Sequence, residues 1–124
     1  MRTHQVECRA KTIEPFDFVD VTDEIQGVLD ESGIEDGQVT IFTPQTACAI
    51  VVNERESGLL SDVRRALDRL GAVDAPQGRG MIGSCSVVLP AAAGKLRLGT
   101  WQRVLLIELE DGAERSVMVQ IVGE

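Results

Sequence analysis

Residues 43 to 56 read TPQTACAIVVNERE, a strongly apolar centre with polar groups at both ends. The centre, ACAIVV at 47 to 52, is apolar at every position, which is typical of a central strand covered on both faces. Two polar residues precede it, and Asn53 and Glu54 follow it directly. The stretch therefore predicts a core strand, and its polar ends raise the question of whether that strand also carries a functional site.

Seven further segments show the pattern of β-strands, and two show that of helices. The helices are predicted at 22 to 33, with Thr22 as N-cap, and at 57 to 71, where apolar residues recur every 3.6 positions. Pro15 places the second strand at an edge or a bulge. Asp111-Gly112 predicts a type I′ hairpin turn between the last two strands. The seven strand segments are HQVECRA at 4–10, IEPFDFVDV at 13–21, VTIFT at 39–43, SCSVVLP at 84–90, KLRLGTW at 95–101, RVLLIELE at 103–110 and RSVMVQIV at 115–122.

This order of elements has no regular alternation of strand and helix. It favours an α+β fold with a mainly antiparallel sheet of about eight strands and two helices that cover one side. The chain has 124 residues, enough for one hydrophobic core, and it contains no linker or repeat. Residues 1 to 124 are therefore predicted to form a single domain.

The net charge of the chain restricts the partners that it can bind. Twenty acidic and twelve basic residues give a net charge of -8, which repels nucleic-acid phosphates and anionic membrane surfaces. Neither is predicted as a partner. The N-terminus lacks an apolar leader segment and no stretch is long enough to span a membrane, which favours a cytoplasmic protein. The three cysteines have neither disulfide nor metal-site spacing and are interpreted as free thiols.

Residues 78 to 83, GRGMIG, match the string G-x-G-x-x-G. A dinucleotide site of this kind needs a strand before the string and a helix after it, and here the order is reversed. The string is interpreted as a connection in which Arg79 contacts an anion at most. His4 is the only histidine, so a His-rich metal site is excluded, and no clustered carboxylates or thiols indicate another. No cofactor is predicted, and the sequence leaves open whether a divalent metal binds.

The polar ends of the first stretch allow two interpretations. A carboxylate such as Glu54 at the rim of an apolar strand can act as a general base, and the amide of Asn53 can orient a substrate. Glu54-Arg55-Glu56 equally fits an exposed turn before the second helix. Gln45 and Asn53 share strand parity but stand eight residues, or about 26 Å, apart. If both are functional, they belong to different sites or meet through a neighbouring subunit.

Trp101, the only tryptophan, follows an alternating segment in LGTWQR. A tryptophan next to glycine most often fills a core or anchors an interface. It also suits the wall of a pocket for a flat ring, with the amide of Gln102 as a hydrogen-bond partner. Both interpretations are open from the residues alone.

Three segments in this order resemble the YjbQ family, also called secondary thiamine-phosphate synthases: PQTACAIVVNE at 44–54, GSCSVVLP at 83–90 and GKLRLGTWQRV at 94–104. The resemblance covers nearly the whole chain, and GTWQ is its most specific part. It implies a sandwich-like α+β domain, a homotrimer and a site at the subunit boundary. The activity attributed to the family joins a pyrimidine pyrophosphate to a thiazole phosphate, so a small-molecule or phosphate ligand is expected.

The resemblance also implies a loss. The family's H-T-[TS] corresponds here to Gln45-Thr46-Ala47, so an amide that does not transfer protons near neutral pH replaces a histidine. A second family block, H-x-E-G-N with a later A-H-[IL]-K, has no counterpart in the shorter segment from Leu70 to Gly83. The chain is therefore expected to be a divergent member that lacks the site histidines of the family.

Other site residues of the family are kept: its N-E pair is Asn53-Glu54, and its GTWQ is residues 99 to 102. Glu54 is accordingly predicted as the catalytic acid or base. The family activity is expected to be weak or lost, and the alternative is a non-catalytic oligomeric scaffold or protein-interaction module. The predicted substrate-binding residues are Gln45, Thr46, Asn53, Arg79, Thr100, Trp101 and Gln102.

Overall fold

A computed structural model of the chain describes residues 1–70 and 83–124. Within them, the helices are α1 (Thr22–Ser32) and α2 (Ser57–Leu70). The strands are β1 (Arg2–Lys11), β2 (Phe18–Asp20), β3 (Gly37–Phe42), β4 (Cys48–Glu54), β5 (Ser86–Ala92), β6 (Lys95–Leu96), β7 (Gln102–Glu108) and β8 (Glu114–Gly123). They form a five-stranded sheet in the order β1-β8-β3-β5-β6 and a three-stranded sheet in the order β2-β7-β4. All pairings are antiparallel.

The main hydrophobic core lies between the two sheets and α1. Ile41 of β3, Ile50 of β4 and Leu29 of α1 are buried in it. A second cluster joins Leu67 of α2 to Ala49 on the opposite face of β4. The three-stranded sheet is therefore covered on both faces, and this is why the centre of β4 is apolar at every position.

The expected α+β fold, with eight strands and two helices, is confirmed for the described residues. The arrangement differs in one respect: there are two sheets, and the helices lie on different sides of the three-stranded one. α1 packs in the core, where it contacts β1, β6 and β8 of the five-stranded sheet and β7 of the three-stranded sheet, whereas α2 covers the far side of the three-stranded sheet. Local patterning does not distinguish one sheet from two, because it records which residues are buried and not which strands pair. Neither helix is long and apolar enough to cross a membrane.

One face of the five-stranded sheet is not covered by any other described element. Its residues alternate with the core positions along each strand, and strand register sets them in rows across β1, β8, β3 and β5. We call this surface the outer face. It consists of Thr3, Gln5, Glu7, Arg9, Lys11, Gln38, Thr40, Phe42, Ser86, Val88, Pro90, Ala92, Glu114, Ser116, Met118, Gln120 and Val122.

The ends of α1 differ slightly from the prediction. Thr22 is the first helical residue and not the N-cap. The backbone N–H of Thr22 donates to Asp20 Oδ1 at 3.0 Å, while the Thr22 hydroxyl oxygen accepts from the Val104 N–H at 2.8 Å. The side chain thus ties the helix to β7, which local sequence does not reveal. Gly33 ends the helix as expected, with φ of 70° in the left-handed region.

The predicted hairpin at Asp111-Gly112 is wrong, because β7 and β8 belong to different sheets. Gly112 instead allows a close approach of two chain segments: a Cβ there would lie 2.2 Å from the carbonyl oxygen of Ile13. The two-residue hairpin is found between β5 and β6. Ala93 and Gly94 both have positive φ, 52° and 75°, as a type I′ turn requires.

Two predicted strands are much shorter than expected. The segment at 13–21 is a strand only at Phe18–Asp20, because Phe16, with φ of 63°, turns the chain. As Pro15 suggested, this strand lies at a sheet edge. The segment at 95–101 is a strand only at Lys95–Leu96, and the residues that follow form the loop that carries Trp101.

Candidate functional site

An open groove of about 350 Å³ lies where β4 ends. Because β4 and β7 are antiparallel, Glu54 at the end of β4 pairs with Gln102 at the start of β7. The loop before β7 brings Thr100 and Trp101 to the same place. The groove is lined by Asp20, Glu54, Arg55, Glu56, Thr100, Trp101 and Arg103.

Trp101 forms a wall of this groove and is 72% exposed. The interpretation as a core residue is therefore wrong, whereas the interface-anchor and pocket-wall interpretations both agree with its position. The Trp101 loop is held from within: the Gly99 N–H donates to Gln102 Oε1 at 2.8 Å, and the Gln102 N–H donates to the Gly99 carbonyl at 3.0 Å. The Gln102 side chain thus fixes the loop that presents the indole ring.

Arg103 and Asp20 form an ion pair in the groove. Arg103 Nε donates to Asp20 Oδ2 at 2.7 Å, and one terminal nitrogen donates to Asp23 at 3.2 Å. Burial opposes ionisation of Asp20, but hydrogen bonds from Arg103 and from Thr22 outweigh it and lower the pKa of Asp20. The Arg103 guanidinium therefore already binds two carboxylates, those of Asp20 and Asp23.

Glu56 has a structural role at the start of α2. Its two carboxylate oxygens accept from the Gly58 N–H at 2.9 Å and the Leu59 N–H at 2.8 Å, which lowers the pKa of Glu56. This is the N-cap position of a helix, where a carboxylate satisfies free amides. The carboxylate of Glu54 and the guanidinium of Arg55, in contrast, form no ion pair with another residue that the structure describes.

The opposite end of β4 is a closed polar cluster around Glu108, which is fully buried. The Thr12 hydroxyl donates to Glu108 Oε1 at 2.5 Å, and Arg115 donates to both carboxylate oxygens at 2.7 and 2.8 Å. Arg115 also donates to Gln45 Oε1 at 3.1 Å. Burial and the Glu108 charge raise the pKa of the Cys48 thiol to about 11, so it stays protonated at neutral pH.

The structure thus brings only part of the predicted site together. Glu54, Thr100 and Trp101 line the groove. Asn53 and Gln102 adjoin it, but their side chains bind backbone: Asn53 Oδ1 accepts from the Glu54 N–H at 2.8 Å. Gln45 and Thr46 lie at the other end of β4. Arg79, with residues 78–82 of the glycine string, lies outside the described residues.

Sequence reasoning did not find the Asp20–Arg103 pair of the groove, because its members are 83 positions apart. It also did not find Glu108 and Arg115 at the other end. Glu108 had a usable signal: it is the only charged residue within the apolar run VLLIEL at 104–109, and a buried carboxylate requires a partner. The identity of that partner was not accessible from local sequence.

The described residues were also considered as metal ligands, and they form no cluster of suitable side chains. Within residues 1–70 and 83–124, no group of three His, Cys, Asp or Glu side chains is close enough to hold a metal ion. His4 lies on β1, in the five-stranded sheet, whereas Glu54 belongs to the three-stranded sheet. The described part of the groove therefore combines carboxylates, guanidinium groups, a hydroxyl and an indole.

The two antiparallel sheets, their helices and the groove at the end of β4 define an α+β sandwich protein with an open polar site. Comparison with protein families gives the particular family. The YjbQ model, described as UPF0047 protein YjbQ-like, matches residues 6–124, and the chain belongs to this family. The resemblance seen in the sequence is confirmed.

Individual relatives are similar to this chain over almost their whole length. UPF0047 proteins of Archaeoglobus fulgidus and Methanothermobacter thermautotrophicus are 33% and 31% identical, over 93% and 100% of this chain and 98% and 95% of their own. A YbjQ-like protein of unknown function from Sulfolobus solfataricus has a TM-score of 0.92 at 29% identity, with 99% of each chain covered. A hypothetical protein from Aeropyrum pernix has a TM-score of 0.88 at 30% identity, with both chains fully covered. These likenesses support the family and the fold.

Proposed function

We propose that the groove at the end of β4 binds a small molecule or a phosphate-bearing ligand, and that the thiamine-phosphate synthase activity attributed to the family is weak or lost. One observation carries this proposal: Glu54, Thr100 and Trp101 lie together in an open groove of about 350 Å³. This volume falls within the range of small-molecule pockets, which are about 300–1,000 Å³.

The groove offers three kinds of contact to such a ligand. The exposed indole of Trp101 presents an aromatic face on which a flat ring stacks. The Glu54 carboxylate accepts hydrogen bonds from amino or hydroxyl groups, and the Arg55 guanidinium donates to phosphate oxygens. Thr100 adds a hydroxyl that donates or accepts. A ligand with a flat ring and polar groups at both ends matches this set.

The chemistry of the groove favours binding over fast turnover. Its described lining contains neither histidine, cysteine nor lysine, the side chains that most often serve as nucleophile or as a base near neutral pH. Of its three carboxylates, Asp20 is paired with Arg103 and Glu56 caps α2. Glu54 is the one that remains for acid or base catalysis, and any residual reaction is assigned to it.

The proposal includes a homotrimer with the groove at a subunit boundary. Gln45 and Thr46 lie at the opposite end of β4 from Glu54, so they reach a ligand in this groove only from a neighbouring copy. Asn53 and Gln102 contribute by holding the backbone of β4 and of the Trp101 loop. Arg79 is retained in the proposal as an anion contact.

Ligand binding is tested through Trp101 itself, because it is the only tryptophan in the chain and its emission reports directly on the groove. The purified protein is titrated with thiamine phosphate, with the pyrimidine pyrophosphate and thiazole phosphate precursors, and with inorganic phosphate. A saturable change in emission, weakened in Glu54→Gln, is expected. Absence of saturable binding to all four probes, in fluorescence and in calorimetry, would overturn the proposal.

Catalysis is tested by measuring thiamine-phosphate formation with and without zinc or magnesium. The expected rate is close to that without protein. Clear formation that disappears in Glu54→Gln shows that Glu54 carries the reaction without histidine, and it contradicts the expected loss of activity.

A second candidate function is a non-catalytic oligomeric scaffold. The observation that favours it is independent of the groove: the outer face exposes the apolar side chains of Phe42 and Val88, and no other described element covers it. This candidate predicts that Glu54→Gln leaves assembly and function unchanged.

A further inference from the structure

The exposed tryptophan of the β4 groove has an aromatic face that no side chain of the described residues uses. Trp101 is 72% exposed and lines the groove. An indole face attracts cations more strongly than the ring of any other side chain. No lysine or arginine among the described residues lies over Trp101, whereas Arg64 lies 5.3 Å from the centre of the Phe18 ring. The face of Trp101 is therefore open to a cation from outside the chain.

Carboxylates outnumber guanidinium groups around this ring. Four carboxylates lie in or directly beside the groove, those of Asp20, Asp23, Glu54 and Glu56. The described lining has two basic side chains, Arg55 and Arg103, so four negative and two positive groups give this set a formal charge of -2. The N-termini of α1 and α2 also lie here, and at roughly half a positive charge each they leave a net charge of about -1.

Most of these charged groups are already bound. Arg103 Nε donates to Asp20 Oδ2 at 2.7 Å, and a terminal nitrogen donates to Asp23 at 3.2 Å. Glu56 accepts from two backbone N–H groups at the start of α2. Among the carboxylates of the described lining, Glu54 alone forms neither an ion pair nor a helix cap. An open indole face and an unpaired carboxylate thus share one groove.

We infer that the β4 groove selects a ligand whose flat ring carries a fixed positive charge, such as an N-alkylated pyridinium ring. The ring stacks on Trp101, and its charge lies beside the Glu54 carboxylate. The inference rests on the proposed function and deepens it, because it names the class of ligand that the same groove takes. A phosphate on such a ligand adds a contact with Arg55. A free anion, in contrast, is repelled by the groove and by the net charge of -8 on the chain.

The lining of the groove favours a flat ring over a compact ammonium group. Compact quaternary ammonium groups are recognised by cages of several aromatic side chains. Trp101 is the only aromatic residue in the described lining. A flat ring gains more contact area than a compact ion when it stacks on a single indole. The volume of about 350 Å³ leaves room for substituents on that ring.

The test compares two ligands that differ in charge and only slightly in shape: N1-methylnicotinamide, whose pyridinium ring is cationic, and neutral nicotinamide. Binding is measured by calorimetry and by quenching of Trp101 emission, with N-acetyltryptophanamide as the reference for quenching without binding. The cation is expected to bind about tenfold more tightly than nicotinamide. Added salt is expected to narrow this difference, because salt screens exposed charges.

Two variants separate the charge from the aromatic face. Glu54→Gln removes the charge and keeps the shape of the side chain, whereas Trp101→Leu keeps an apolar group without the ring. Each is expected to reduce the preference for the cation to about threefold or less, measured by calorimetry. Glu114→Gln is the matched control, because Glu114 is an exposed carboxylate on β8, outside the described lining, and its loss changes the net charge equally. Circular dichroism establishes that each variant is folded.

A preference for the cation that both groove variants reduce and Glu114→Gln keeps supports the inference. Equal affinity for the two ligands overturns it, as does a preference that survives in both groove variants or falls equally in Glu114→Gln. If thiazole phosphate binds saturably and N1-methylnicotinamide does not, the inference fails and the proposed function stands. If neither the nicotinamide pair nor any of the four earlier probes binds, both fail.

Discussion

The two ends of β4 use the same kinds of side chain for opposite purposes. At the Gln45 end, a carboxylate, a guanidinium and an amide bind one another, and Glu108 at their centre is fully buried. At the Glu54 end, a carboxylate and a guanidinium face an open groove beside an exposed tryptophan. One strand therefore connects a closed polar cluster to an open one.

The difference shows that residue type does not distinguish a structural polar group from a functional one. Burial and the number of hydrogen-bond partners distinguish the two. A buried carboxylate must be paired, because an isolated charge in the interior is very costly. An exposed carboxylate has no such requirement and stays available to a ligand. The following predictions test this contrast, from the largest expected effect to the smallest.

Arg115→Ala is expected to cost about 3–5 kcal/mol of unfolding free energy, because it leaves the buried Glu108 carboxylate without its main partner. The measurement is urea unfolding at neutral pH. Arg55→Ala at the open end is the matched control, with an expected cost below about 0.5 kcal/mol. Equal costs at the two ends would contradict the contrast between closed and open clusters.

Trp101→Ala is expected to weaken ligand binding at least tenfold and to change the unfolding free energy by less than about 0.5 kcal/mol, as is usual for an exposed side chain. Binding is followed by calorimetry, since the variant has no tryptophan. Phe42→Ala on the outer face serves as a control for loss of an aromatic group elsewhere. A large loss of stability in Trp101→Ala would show that the indole ring is a structural anchor.

The Asp20–Arg103 pair makes stability depend on pH. The pKa of Asp20 is lower in the folded state than its unfolded value of 3.8. The ion pair therefore contributes fully to the free energy of unfolding above pH 3.8, and this contribution is lost as the pH falls through the lower pKa of the folded state. Asp20→Asn is expected to cost about 1 kcal/mol at pH 7, since the pair is partly exposed. Unfolding of both proteins from pH 7 to pH 2 is the measurement. The difference between them is expected to shrink below pH 3.8, and a constant difference would contradict this assignment.

Gln45→Ala is expected to cost about 0.5–1.5 kcal/mol, the range for one hydrogen bond, through loss of the contact with Arg115. Thr46→Ala, an exposed neighbour, is the control for stability. Gln45→Ala also tests whether the two ends of β4 act on the same ligand. Unchanged ligand affinity in Gln45→Ala means that the ends act separately, whereas weaker binding in the assembled protein means that Gln45 of one copy reaches the groove of another.

Much of the fold was predictable because its signals are local. The apolar centre of β4 indicated a strand covered on both faces, and Gly33 marked the end of α1. The separate sheets of β7 and β8 were not predictable, since Asp111-Gly112 is compatible with a hairpin and only long-range packing excludes it. Gly112 is in fact required by the backbone of Ile13, nearly 100 positions away in the chain.

The candidate site was predictable to a similar extent. Glu54, Thr100 and Trp101 come from two segments that the antiparallel pairing of β4 and β7 brings together. The sequence also indicated that Gln45 and Asn53 are too far apart for one site in one chain, and the structure places them at opposite ends of the strand. The tertiary fold alone determines that Trp101 is exposed and that Arg103 binds Asp20 and Asp23.

The sequence by itself determined the secondary-structure elements, the YjbQ family and the candidate residues, because periodicity and motif order are properties of neighbouring residues. Only the tertiary structure decided which strands share a sheet, which end of β4 is closed and which face of the five-stranded sheet stays uncovered. The physical reason is that burial and polar partnership are set by contacts between distant segments. A carboxylate becomes structural or available only when those contacts are made.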